Sequence, residues 1–153
     1  MPVLFWYLQG ALTLVIAVVA VNIARQQSKT SAEKLKFDLF DKRYRVFEEI
    51  LTLLKIMYPK GTVELIDIAT FNGRTVESKF LFGNEIVEYI KQISDHAQTL
   101  ETVNSEMRDA LNGVLGSDRL KLVQERREVM QWVRDQFNVV GEKFKKYLDF
   151  TKL

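Results

Sequence analysis

Hydrophobic positions in this chain fall into one unbroken block followed by three periodic rows. The block, residues 3–24, reads V-L-F-W-Y-L-Q-G-A-L-T-L-V-I-A-V-V-A-V-N-I-A, 22 residues without a charge. As a helix rising about 1.5 Å per residue it reaches roughly 33 Å, enough to cross a hydrocarbon core of about 30 Å. The pattern therefore predicts a transmembrane helix over residues 1–25 and a helical domain over 26–153. Within the block, Gly10, Thr13, Ala17, Ala20 and Ala24 recur at alternating spacings of three and four, which puts them on one stripe. Small residues so arranged let a second helix approach closely, and in lipid that packing drives association; the competing reading is that alanine is common in membrane spans. Trp6 and Tyr7 sit where interfacial anchors belong.

The first periodic row is Phe37, Phe40, Tyr44, Phe47, Leu51, Leu54 and Tyr58, flanked by Leu35, Leu39, Val46, Ile50, Leu53 and Met57. Together they predict a helix whose wide apolar stripe faces a core, with the aromatic row at its centre. Asp41 and Arg45 form an i,i+4 pair of opposite charge on the far face. Upstream, Thr30 and Glu33 have capping-box spacing, so either a helix restarts there or the first helix runs through.

Tyr58-Pro59-Lys60-Gly61 predicts a stop. A shorter helix follows through Phe71, Asn72-Gly73 interrupts it, and helix resumes near Thr75 to end at a Gly83 C-cap. Asn84 is placed as the cap of the next helix, whose row is Ile86, Ile90, Ile93, Ala97, Leu100, Asn104, Met107, Leu111 and Val114. Asn104 either fixes register, as a buried Asn does in coiled coils, or marks a solvated or kinked turn. Gly113 and Gly116 bracket a turn. Ser117 caps a last helix with Val123, Met130, Val133, Phe137, Val140, Phe144 and Tyr147 in its row, Arg127 in the one gap and Trp132 alongside. Short connections between these segments make neighbours antiparallel, and the fold class expected is all-α: one N-terminal transmembrane helix followed by an antiparallel bundle of about four helices.

Charge adds orientation. From Arg25 to Lys60 there are nine Lys and Arg against five Asp and Glu, and from Gly61 onward thirteen against fifteen. The basic excess directly after the apolar block places the bundle in the cytoplasm and the N-terminus on the periplasmic side. A cleaved secretory signal fits less well, because no basic residue precedes the run and the run is too long for a signal core. Arg25, Lys29, Lys143, Lys145, Lys146 and Phe150 are the candidate contacts to an anionic membrane surface; for the C-terminal lysines the alternative is the ordinary preference of cations for a helix C-terminus.

Candidate chemistry is sparse. The chain has no cysteine and a single histidine, His96, which speaks against zinc and against the paired Glu-x-x-His motifs of bundle di-metal sites. Neither phosphate-binding glycine motif nor a nucleophile elbow occurs, and a near-neutral bundle suits nucleic acid poorly. No cofactor, metal, small-molecule substrate or catalytic residue is expected.

Two stretches, K-L-K-F-D-L-F-D-K-R-Y-R-V-F-E over residues 34–48 and K-F-L-F-G-N-E-I-V-E-Y-I over 79–90, with the ending F-K-K-Y-L-D-F, resemble a broad family of small bacterial membrane proteins to which no activity is attached. The resemblance implies a bacterial inner-membrane, single-pass protein and supplies no site residue. The function expected is a membrane-anchored, self-associating interaction or scaffold module without catalysis. The alternatives are an accessory subunit of a larger membrane complex and a membrane-acting effector of defence or toxicity.

Overall fold

The computed structural model describes the backbone of residues 2–111 and 119–149, and the side chains from residue 16 onward within those ranges. Among the described residues every regular element is helical: α1 (Pro2–Lys60), α2 (Leu65–Thr75), α3 (Ser78–Leu81), α4 (Asn84–Leu111) and α5 (Arg119–Phe144). The all-helical expectation holds. The chain divides into two units, Met1–Leu39 and Phe40–Leu153.

The first unit lies within α1. Helix runs through Thr30, whose hydroxyl donates back to the Gln26 carbonyl at 3.0 Å instead of capping a new start. Among the described residues no helix is long and apolar enough to cross a membrane. The described side chains cover only residues 16–24 of the uncharged block, too few by themselves for a span; the transmembrane expectation thus finds no support there. Gly10 and Thr13 of the small-residue stripe lie, as side chains, outside the described residues. Ala17, Ala20, Ala24, Arg25 and Lys29 are exposed.

The second unit is the bundle. Its core joins Val46, Ile50, Leu53, Leu54 and Met57 of α1 to Ile68 and Phe71 of α2, Ile86, Tyr89, Ile90, Ile93, Ala97 and Leu100 of α4, and Val129, Val133, Val140 and Phe144 of α5. The direction of each helix follows from side chains that tie its ends: Arg43 reaches Leu81 and Tyr147, while Asn104 and Arg126 reach Gly61. Hence α1 and α4 run one way and α2, α3 and α5 return, the up-and-down order that short connections impose.

Three expectations need correction. The buried stripe of α1 is the aliphatic flank, with Leu54 the sole fully buried member of the aromatic-centred row; Phe47 and Leu51 are half-buried, Tyr44 and Tyr58 are exposed, and Leu35 and Phe37 are exposed by 70% and 64%. Val46, Ile50, Leu53, Leu54 and Met57 fill that stripe, and two rings of the row pack at its edge against α5, where Phe47 meets Phe144 at 5.5 Å and Tyr58 meets Phe137 at 5.7 Å. Asn72-Gly73 does not interrupt α2, which a reciprocal capping box between Glu64 and Asp67 starts and which continues to Thr75. Gly83 is not a left-handed C-cap: among the described residues only Gly61 has positive φ, +62°. The Gly83 carbonyl instead accepts the first bonds of α4 from Ile86 and Val87, and Asn84 is already helical. Ser117, Gly113, Gly116 and Val114 lie outside the described residues.

Candidate functional site

Each end of the bundle is closed by an arginine that donates to backbone carbonyls at helix C-termini, where acceptors lack helical partners. At one end Arg43 Nε donates to the Leu81 carbonyl at 3.1 Å, and Nη1 to that of Tyr147 at 3.4 Å, with the guanidinium 5.3 Å from the Tyr147 ring. Beside it the Tyr147 hydroxyl accepts from Gly83 N at 2.9 Å and donates to Glu85 at 2.7 Å, while Lys146 donates to the same carboxylate oxygen at 2.6 Å. A Cβ on residue 83 would press on the Glu85 carboxylate and stand 2.8 Å from that hydroxyl, so a larger residue there would push both side-chain ends aside. The Lys146 ammonium, then the Tyr147 hydroxyl, hold the Glu85 carboxyl down to about 2 from an ordinary 4.5; the carboxylate in turn raises Lys146.

At the other end α1 stops at Gly61, whose left-handed conformation turns the chain while its N–H bonds the Met57 carbonyl at 2.9 Å. The Gly61 carbonyl accepts from Arg126 Nη2 at 3.1 Å and from Asn104 Nδ2 at 3.0 Å, and Arg126 Nε donates to Asn104 Oδ1 at 3.0 Å. Asn104 is half-buried and, with Arg126, joins three helix segments.

Arg126 also belongs to a groove of about 570 Å³ between α5 and the end of α1. Tyr58, Val123 and Met130 form its apolar lining, and Arg126, Arg127 and Arg134 its polar one, with Gln131 between. No acidic residue lines it among the described residues. Arg127 has no ion-pair partner among them, and Arg134 touches only the neighbouring Asp135, at 3.4 Å. The sequence carries a signal for this: Arg127 and Arg134 find Val, Met, Gln, Phe or Asn three and four positions away on either side, never a carboxylate. That pattern leaves both arginines without a carboxylate one helical turn away, the spacing at which a helix neutralises its own charges.

The candidate membrane-surface lysines Lys143, Lys145 and Lys146 are exposed, and each has a neighbour on the bundle. Lys146 pairs with Glu85, Lys145 lies 3.8 Å from Glu142, and Lys143 stands 4.9 Å from the Tyr89 ring; Phe150 lies outside the described residues. Tyr89 itself is buried, and its hydroxyl has no hydrogen-bond partner among the described residues, so burial pushes its phenol up. Trp132 is half-buried and stacks on His96 at 3.6 Å with the rings 4° from parallel, so this histidine is a packing residue. No group of three His, Asp or Glu that could hold a metal occurs among the described residues. No family model matches the chain, and neither a curated protein nor a solved structure does.

Proposed function

We propose that the protein is a membrane-anchored helical interaction module of the bacterial inner membrane. In this reading residues 3–24 lie in the bilayer, the N-terminus faces the periplasm and the bundle faces the cytoplasm. The observation that carries it is a helix wall without cover: Ile16, Val18, Val19, Val21 and Ile23 are each about half-exposed or more, in direct continuation of an uncharged run. Isolated apolar side chains on a surface need no explanation, but a helix apolar all round is buried in something. The basic residues that begin at Arg25 supply the orientation. The small-residue stripe from Gly10 to Ala24 supports self-association through the same helix.

Carbonate extraction of bacterial membranes tests the anchor: the full chain should stay in the pellet, and release into the supernatant overturns the reading. Because the chain has no cysteine, Ala17→Cys or Ala20→Cys gives a single crosslinking site. Disulfide-linked homodimers are the expected result. Crosslinks confined to foreign proteins favour an accessory subunit instead, and a strict monomer in mild detergent removes the self-association.

A further inference from the structure

From the groove between α5 and the end of α1 we infer a docking site for an acidic amphipathic helix of a partner protein. The inference rests on reading the bundle as an interaction module but not on the membrane anchor.

Arg127 and Arg134 are seven residues apart on α5, two turns, so about 10.5 Å along one face. Met130 lies between them, Val123 one turn before, and Tyr58 across the groove on α1. Met130 is half-buried between the two guanidiniums, and Val123 and Tyr58, 40% and 44% exposed, extend the apolar surface beside them. Arg126 is fixed from behind by Asn104 and the Gly61 carbonyl, so its positive charge stays at the groove with only neutral acceptors against it. A surface of this kind needs a partner that brings carboxylates at its edges and an apolar group at its centre. A helix with Glu at positions i and i+7 and Leu at i+3 and i+4 has that layout on one face, its acids about 10.5 Å apart. Arginine forks bind carboxylates in two parallel hydrogen bonds, which favours a defined register over diffuse attraction. A second copy of the chain is the weaker occupant: its acidic surface at Asp95, Glu106 and Glu125 is itself a groove between α4 and α5, and concave does not fill concave.

The test uses the full chain in neutral detergent micelles and a fluorescein-labelled synthetic helix carrying the Glu-x-x-Leu-Leu-x-x-Glu spacing, read by anisotropy. A peptide of identical composition with the acids moved to i+2 and i+5 is the control. Saturable binding of the first peptide at least about tenfold tighter than the control is expected, weakening as salt rises. R127E/R134E should lose at least about tenfold in affinity, with helical content and thermal midpoint retained because both side chains are exposed. A peptide with Lys in place of both Glu should regain binding to that variant, which shows that the loss is electrostatic and not misfolding. Equal binding of both peptides, or binding unaffected by R127E/R134E, overturns the proposal. So does retention on phosphatidylglycerol vesicles that requires Arg127 and Arg134 while the peptide fails to bind, because the groove is then a lipid surface. A shift from oligomer to monomer in R127E/R134E without peptide binding assigns the groove to a second copy and overturns it too. Failure of peptide binding by a chain that resists carbonate extraction leaves the anchor standing, and the converse leaves the groove standing.

Discussion

The two ends of the bundle solve one problem with different chemistry. Both must satisfy carbonyls left over at helix C-termini, and both use an arginine held by the opposite helices: Arg43 for Leu81 and Tyr147, Arg126 for Gly61. At the Arg43 end the closure is ionic and aromatic, with Glu85, Lys146 and Tyr147 gathered beside it and Phe82 packed edge-on to Phe144 at 5.2 Å and to Tyr147 at 5.1 Å. At the Gly61 end the arginine meets only neutral acceptors, Asn104 Oδ1 and the Gly61 carbonyl. One end is therefore sensitive to protonation and salt. The other depends on backbone geometry and leaves its cation available to the groove.

The largest effect should come from the ring buried beneath the Arg43 end. Phe144 is fully buried against Phe47 and Phe82, so Phe144→Ala should cost about 3–5 kcal/mol by urea unfolding. A loss below about 1 kcal/mol would show that the aromatic packing does not hold this end together. At the opposite end, Gly61→Val places a β-branched residue at φ +62° with its Cβ against the Arg126 guanidinium. A cost of about 2–3 kcal/mol is expected from strain together with the displaced hydrogen bonds. Asn104→Ala and Arg126→Met should each cost about 1–2 kcal/mol, and the double variant less than their sum, since each removes a partner of the other; strict additivity would mean the triangle is not formed.

The pH dependence separates the ends. The folded-state value of Glu85 is depressed to about 2 against an ordinary 4.5. Its contribution is therefore fully present above about 4.5 and is lost as pH falls from there toward 2. Glu85 is exposed, so solvent screening keeps this effect the smaller of those discussed. The urea midpoint of Glu85→Gln should fall less steeply across that interval than that of the parent, while Arg126→Met should keep the parent's slope. Equal slopes for Glu85→Gln and the parent would remove the ionic character assigned to the Arg43 end.

Periodicity carries much of the architecture because helices expose their burial pattern every three to four residues. The stop at Gly61 and the up-and-down order follow from spacing and short connections and appear in the fold, and the rows of α4 and α5 are buried from Ile86 to Leu100 and at Val133, Val140 and Phe144, whereas Leu111 and Val123 at their far ends are exposed. Local signals misled where a glycine admits more than one role. Asn72-Gly73 looks like a break, yet the α2 helix tolerates it on an exposed surface. Gly83 looks like a C-cap, yet what it supplies is room for the Glu85 carboxylate and the Tyr147 hydroxyl. The Tyr147 contact of Gly83 is not encoded nearby, because that residue is 64 positions away.

Local order along the chain is enough to make it helical, to stop α1 at Gly61 and to leave the first two dozen residues without charge. Tertiary structure decided which stripe of α1 is core, that Asn104 and Arg126 close an end together, and that Arg127 and Arg134 face a groove with Tyr58 across it. The physical reason is range. Helix formation and termination depend on neighbours within a turn or two, whereas burial and the pairing of side chains depend on which helix stands opposite, and that is set only when the whole bundle packs.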